Sequence, residues 1–167
     1  MNEITIVVDM LNDFVHEKGV LSFPEARKIV PYIKNLIEKD EKIIYLKDEH
    51  EFNDKEFKIF PQHAIKGTWG SKIIDELKPS VTDIVIPKNR YSGFFNTNLD
   101  SYLKVFNPSK VTVVGVCTSI CVMDTVGGLR NRDFYVVISS MGVADFDQEM
   151  HEMALKRMKN IYGVTII

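Results

Sequence analysis

The sequence predicts a three-layer α/β/α domain on a largely parallel, six-stranded, doubly wound sheet, and two observations carry that prediction. Six short apolar, β-branched runs recur along 167 residues: ITIVV at 4–8, KIIYL at 42–46, DIVI at 83–86, KVTVVGV at 110–116, YVVIS at 135–139 and VTII at 164–167. Several are apolar at consecutive positions rather than alternating, so the strands need cover on both faces, as parallel sheets flanked by helices have. Helical patterns separate the runs, and repeated strand, helix, strand is the order of a doubly wound fold. Ligands in such folds bind beyond the C-terminal strand ends, so the residues following each run are those that bear on function.

Taken in order, the first helix after the opening strand is predicted over YIKNLIEKD at 32–40, with Ile33, Leu36 and Ile37 on one face and Pro31 tolerated in the first turn. The stretch 49–70 is too long for an ordinary connection between a strand and a helix, and such loops are commonly functional or mobile. After the third strand, Thr97 is the expected N-cap of a helix, with Asp100 three residues on as its reciprocal partner. A third helix follows Cys121. A fourth, over 147–161, is expected to turn Met150, Met153, Ala154 and Met158 inward as core.

With 45% hydrophobic and 26% charged residues, 1–167 reads as one domain with a core large enough to need no staples. The net charge of −2, with basic residues scattered along the chain, predicts no binding to nucleic acid or to an anionic membrane and favours a small-molecule substrate. Met1, Asn2 and Glu3 run into a strand with no basic leader, and no apolar run approaches a membrane span, so a cytoplasmic location is expected. Cys117 and Cys121, four apart at one strand end, make no stapling framework and point to thiol chemistry.

Three strand ends carry that chemistry. In GVCTSIC at 115–121, Cys121 stands where a helix begins, and the unpaired N–H groups there favour a thiolate and can hold an oxyanion. Asp9 ends the first run in VVDMLNDF. Alone it reads as a cap or turn former. Lys88 ends the third in IPKNRYSGFF, and alone it is a solvated loop lysine. Together the lysine lowers the thiol pKa, Asp9 accepts the thiol proton and passes it to a departing amine, and an amide is hydrolysed through a thioester. No histidine occurs in these segments, so the carboxylate is the base. The second run leads into KDEH, where Asp48 and His50, with His63 on the long loop, form a set that suits a divalent transition metal such as zinc, iron or manganese and matches calcium poorly. Glu51, Asp54 and Glu56 are further ligand candidates that the sequence does not rank. Two non-enzymatic readings compete: a redox switch using Cys117 and Cys121, and a phospho-receiver domain, which would need an acidic pair after the first strand and an aspartate where Lys88 stands.

VVDMLNDF, IPKNRYSGFFNTNLD and GVCTSICVMDTV, in this order, resemble the three catalytic segments of the isochorismatase-like cysteine hydrolases, and within them of the nicotinamidases, over essentially the whole chain. The resemblance implies an isochorismatase-like fold with Asp9, Lys88 and Cys121 as the triad. It also implies a cis peptide between Val116 and Cys117, and an oxyanion hole made by the N–H groups of Cys117 and Cys121. DEH…FPQHAIKGTWG is similar to the nicotinamidase metal loop, which implies Asp48, His50 and His63 as ligands of an ion that binds the pyridine nitrogen, and Phe14 and Phe60 as aromatic neighbours of the ring. Leu11 and Phe60 stand where many nicotinamidases have glutamine and tryptophan. Trp69 is expected to support the loop, and the family's habit implies a homo-oligomer acting on a small carboxamide.

Overall fold

The computed structural model describes residues 2–39 and 42–167. Its six strands are β1 (Glu3–Val8), β2 (Ile43–Asp48), β3 (Ile84–Lys88), β4 (Lys110–Val116), β5 (Val136–Ala144) and β6 (Thr165–Ile166). Every pairing is parallel and the order is β3-β2-β1-β4-β5-β6, so the winding reverses between β1 and β4. Among the described residues six α-helices pack on the sheet: α1 (Asn12–Val15), α2 (Pro24–Lys28), α3 (Val30–Ile37), α4 (Leu99–Phe106), α5 (Met123–Arg130) and α6 (Gln148–Asn160).

Alternation along the central strands separates two cores. Ile4, Ile6 and Val8 of β1 face Leu99 and Leu103 of α4, Val126 and Leu129 of α5, and Ala154 and Met158 of α6. Val7, with Tyr45 of β2 and Val114 of β4, faces Phe14 of α1, Ala26 of α2 and Ile33 of α3. Each such buried aliphatic side chain contributes about 1.5–3 kcal/mol. The consecutive apolar runs therefore have the two-sided cover that their composition requires. Among the described residues no helix is long and apolar enough to cross a membrane.

Several local expectations are corrected. The helix expected over 32–40 spans Val30–Ile37, with Pro31 in its first turn as expected; Asp40 lies outside the described residues. The short α1 and α2 escaped the sequence reading because neither is long enough to show a period. Thr97 precedes the N-cap, which is Asn98; its hydroxyl accepts from the Leu99 N–H at 3.3 Å, while Asp100 pairs with Arg132 instead of closing a capping box. On α6, Ala154 and Met158 are buried, but Met150 and Met153 face solvent because the helix shows only one narrow stripe to the sheet. Between Val8 of β1 and β4 the backbones approach so closely that a Cβ on Gly115 would sit 2.0 Å from the Val8 carbonyl oxygen, and Gly115 has a φ of +118°.

Candidate active site

The reversal between β1 and β4 brings three strand ends to one point. Asp9 leaves β1 with a φ of +51°, in the left-handed region that aspartate tolerates better than most residues. Its N–H donates to the Leu46 carbonyl at 2.9 Å, and its Oδ1 accepts from the Asp48 N–H at 2.8 Å, which fixes the carboxylate against the end of β2. Lys88, the last residue of β3, is in register with Asp48. Its Nζ lies 2.8 Å from Asp9 Oδ2 and 3.5 Å from Cys121 Sγ, and it donates to Asp48 Oδ1. One buried ammonium therefore sits among the two carboxylates and the thiol.

Cys121 is placed by a π-helical turn, Thr118–Val122, that follows the cis Val116–Cys117 peptide and runs into α5. The Ile120 and Val122 N–H groups donate to the Cys117 carbonyl at 3.1 and 3.2 Å. The Ser119 N–H donates to the buried Asp145 Oδ2 at 2.7 Å, and Thr118 Oγ1 pairs with His151 Nδ1 at 2.9 Å. Asp145 and His151 thus brace the turn. Both escaped the sequence reading, since a lone polar residue after a strand or on a helix carries no pattern.

Burial dominates the electrostatics here. It raises the Asp9 carboxyl to about 6, helped by the charge of Asp48 and opposed by Lys88. Burial by itself would lower Lys88, but Asp48, Asp9 and Cys121 hold it well above its ordinary value, so it stays an ammonium. The Cys121 thiol is pushed up by burial and by the two carboxylates, and the opposing pull of Lys88 does not win. The expected lowering of the thiol pKa is corrected accordingly: Lys88 acts in the expected direction, yet burial and the two carboxylates outweigh it and favour the protonated thiol. Burial and Asp145 also push Cys117 up, and both cysteines are free. Redox-sensing thiols are exposed and acidic, which fits neither residue.

One donor atom from each of Asp48, His50 and His63 lies within 4.8 Å of the other two. The donor set fits a divalent transition metal on its own chemistry. His50 Nε2 is buried without a hydrogen-bond partner, while Nδ1 meets Asp54 Oδ2 at 3.1 Å. His63 Nδ1 lies 2.8 Å from the Pro61 carbonyl, which makes it the protonated nitrogen and leaves Nε2 free to ligate. The three further ligand candidates now separate. Glu51 points to solvent near Lys66, Asp54 is engaged by His50 and Arg90, and buried Glu56 sits 3.8 Å from His63 Nε2.

These groups open into a cavity of about 400 Å³. Its lining includes buried polar groups, Asp9, Asp48, Glu56, His63 and Cys121, and an apolar set, Val20, Leu21, Phe23, Ile120 and Phe146, of which Val20 and Phe146 are exposed. Phe14 and Phe60 line it beside His63, with ring centroids 5.5 and 6.2 Å from the imidazole. Tyr91 completes the wall. No lysine or arginine is among the lining residues. Leu11 is buried away from the cavity, bridging to Ile73, so its departure from glutamine does not alter the lining. Trp69 is outside it too, packed edge-on to His16 with its carbonyl accepting from Asn12. Asp13 ties two lining segments together: its Oδ2 accepts from the Ala64 N–H at 2.8 Å, beside His63, and its main-chain oxygen accepts from the Leu21 N–H at 3.0 Å.

Comparison with known proteins agrees with this geometry. The family model described as Isochorismatase domain matches residues 3–167. A Bacillus subtilis protein, PncA, described as an uncharacterized isochorismatase family protein, is 32% identical over 99% of both chains. The solved N-carbamoylsarcosine amidase of Thermoplasma acidophilum is 34% identical with a TM-score of 0.90, over 99% of this chain and 95% of that one. The Pyrococcus horikoshii pyrazinamidase, solved in complex with zinc, is 30% identical with a TM-score of 0.91, over 100% and 99%.

Proposed function

The chain belongs to the isochorismatase-domain family, and on that premise we propose that it is a cysteine amidase hydrolysing nicotinamide to nicotinate and ammonia. The observation that carries the reading is the pairing of the Asp9, Lys88 and Cys121 cluster with a second cluster, Asp48, His50 and His63, across one cavity. The first suits attack on an amide carbonyl. The second suits a metal that recognises a ring nitrogen, and the zinc-bound pyrazinamidase supports that assignment.

In this mechanism Asp9 takes the Cys121 proton as Sγ adds to the carboxamide carbon. Backbone N–H groups of Cys117 and Cys121 receive the oxyanion. Asp9 then gives the proton to the amide nitrogen, the C–N bond breaks and ammonia leaves a thioester on Sγ. Water attacks next, losing its proton to Asp9, and the C–S bond breaks to regenerate the thiol and release the acid. Lys88 holds Asp9 in place and draws its carboxyl down against burial, favouring the ionised base that starts each half-reaction. Phe14 and Phe60 flank the ring. Asp48, His50 and His63 would hold a divalent ion, which when bound would supply Lewis acidity toward the pyridine nitrogen.

A second reading, an amidase for another small carboxamide, draws on the likeness to N-carbamoylsarcosine amidase. That substrate carries a carboxylate, whereas the residues lining this cavity include no lysine or arginine to pair with it, and the neighbouring Lys88 ammonium is engaged by Asp9 and Asp48. Ammonia release from nicotinamide, pyrazinamide, benzamide and N-carbamoylsarcosine, with metal content measured on the same preparation, tests both. Nicotinamide preferred over benzamide supports the proposal; preference for N-carbamoylsarcosine overturns it.

A further inference from the structure

We infer that the open, apolar half of the cavity is a subsite for an alkyl or aryl substituent, so that the favoured substrates are neutral carboxamides extended on the side away from His63; this rests on the amidase reading above. Exposure differs within the cavity. Of the lining residues, His63 and Asp48 are 2% and 3% exposed, while Val20 and Phe146 are 54% and 58% exposed. Single exposed hydrophobics are ordinary. These two instead face the same cavity that contains Cys121, which Leu21, Phe23 and Ile120 also line.

The apolar wall is also built rather than incidental. Phe146 packs edge-on against Phe23, with ring centroids 6.2 Å apart and planes at 77°. It directly follows Asp145, whose carboxylate holds the Ser119 N–H of the nucleophile turn. Val20 and Leu21 are tied by Asp13, which also holds the loop beside His63. Both sides of the subsite are thereby anchored to the elements that carry the chemistry. A volume near 400 Å³ is in the range of pockets that enclose multi-ring ligands, about 300–1,000 Å³, and exceeds what one ring with a carboxamide fills. A substrate bound only at the polar groups leaves this wall wet, and an apolar extension would cover it.

The test is kcat/KM for nicotinamide and for its methyl, ethyl and propyl derivatives substituted at the ring carbon meta to the carboxamide, in wild type, Val20→Ser, Phe146→Ser and Phe146→Leu. In wild type each added carbon raises kcat/KM about fourfold, the equivalent of one buried methylene. The propyl-to-unsubstituted ratio falls in both serine variants and is kept by Phe146→Leu. Titration calorimetry of the same amides with Cys121→Ala reads the subsite without turnover. Affinity rising with chain length there supports the subsite even if ammonia release from nicotinamide itself fails, an outcome that would overturn only the amidase reading. Affinity and kcat/KM that are flat or fall with chain length, or a slope untouched in both serine variants, overturns the inference.

Discussion

Replacing Lys88 by methionine, nearly equal in length but neutral, should be both structurally and chemically costly. The ammonium is fully buried, 2.8 Å from Asp9 Oδ2, 3.5 Å from Cys121 Sγ and bonded to Asp48. Without it two carboxylates face each other in a dry site. Removing one partner of a buried ion pair costs about 3–5 kcal/mol. For a chain of this length each kcal/mol moves Tm by about 2–4 °C, so Lys88→Met should melt roughly 6–20 °C lower. The same change acts on protonation. Lys88 now holds the Asp9 carboxyl down against burial and Asp48, so its loss raises a group already at about 6. A base must be ionised to work, so less of it is active near neutral pH and the acid limb of kcat/KM moves to higher pH. Calorimetric melting, together with the pH dependence of ammonia release and of iodoacetamide alkylation on metal-stripped protein, measures both effects. An unchanged Tm with an unmoved acid limb would refute the claim that this ammonium holds the site together.

In wild type, kcat/KM should rise with pH through a midpoint near 6, the value of Asp9, and one pH unit below that midpoint should retain about one-tenth of the plateau; a midpoint in the ordinary carboxylate range would remove Asp9 as the base. Gly115→Ala forces a Cβ to 2.0 Å from the Val8 oxygen at a positive φ. It should cost about 3 kcal/mol or more in urea unfolding, and a smaller loss would mean that β1 and β4 separate easily. His50→Ala and His63→Ala should each lose bound metal and raise KM for nicotinamide strongly while Cys121 is still alkylated at a near wild-type rate; benzamide, which lacks the ring nitrogen, should be turned over poorly and be little affected. Equal turnover of benzamide and nicotinamide by metal-loaded protein would contradict ring recognition.

The sheet was legible because its strands advertise themselves: KVTVVGV at 110–116 is β4 to the residue, apolar under two-sided cover but for Lys110 at its start and the buried Thr112. β5 was underestimated. Beyond YVVIS it continues through Ser140, Met141 and Gly142, where two exposed residues break the apolar pattern, and Gly142 leaves room for Val114 and Tyr32. Asp9, Asp48, Lys88 and Cys121 converge on one cluster because parallel strands deliver their C-terminal ends to one edge, whereas Glu51, also singled out on the long loop, points to solvent. The thiol protonation was not legible, as it depends on how much burial outweighs one ammonium. The bracing by Asp13, Asp145 and His151, and the wall of Val20, Phe23 and Phe146, arise from segments far apart in the chain that only the fold brings together.

The central claim is that Cys121 carries the acyl group of a carboxamide substrate. Acid quenching during steady-state turnover of nicotinamide, followed by mass spectrometry of the intact protein and its peptides, tests it directly. The account predicts a nicotinoyl thioester on Cys121, absent from Cys121→Ala and from protein quenched without substrate. Sustained ammonia release with no acylated Cys121, or with the acyl group on Cys117, would contradict it.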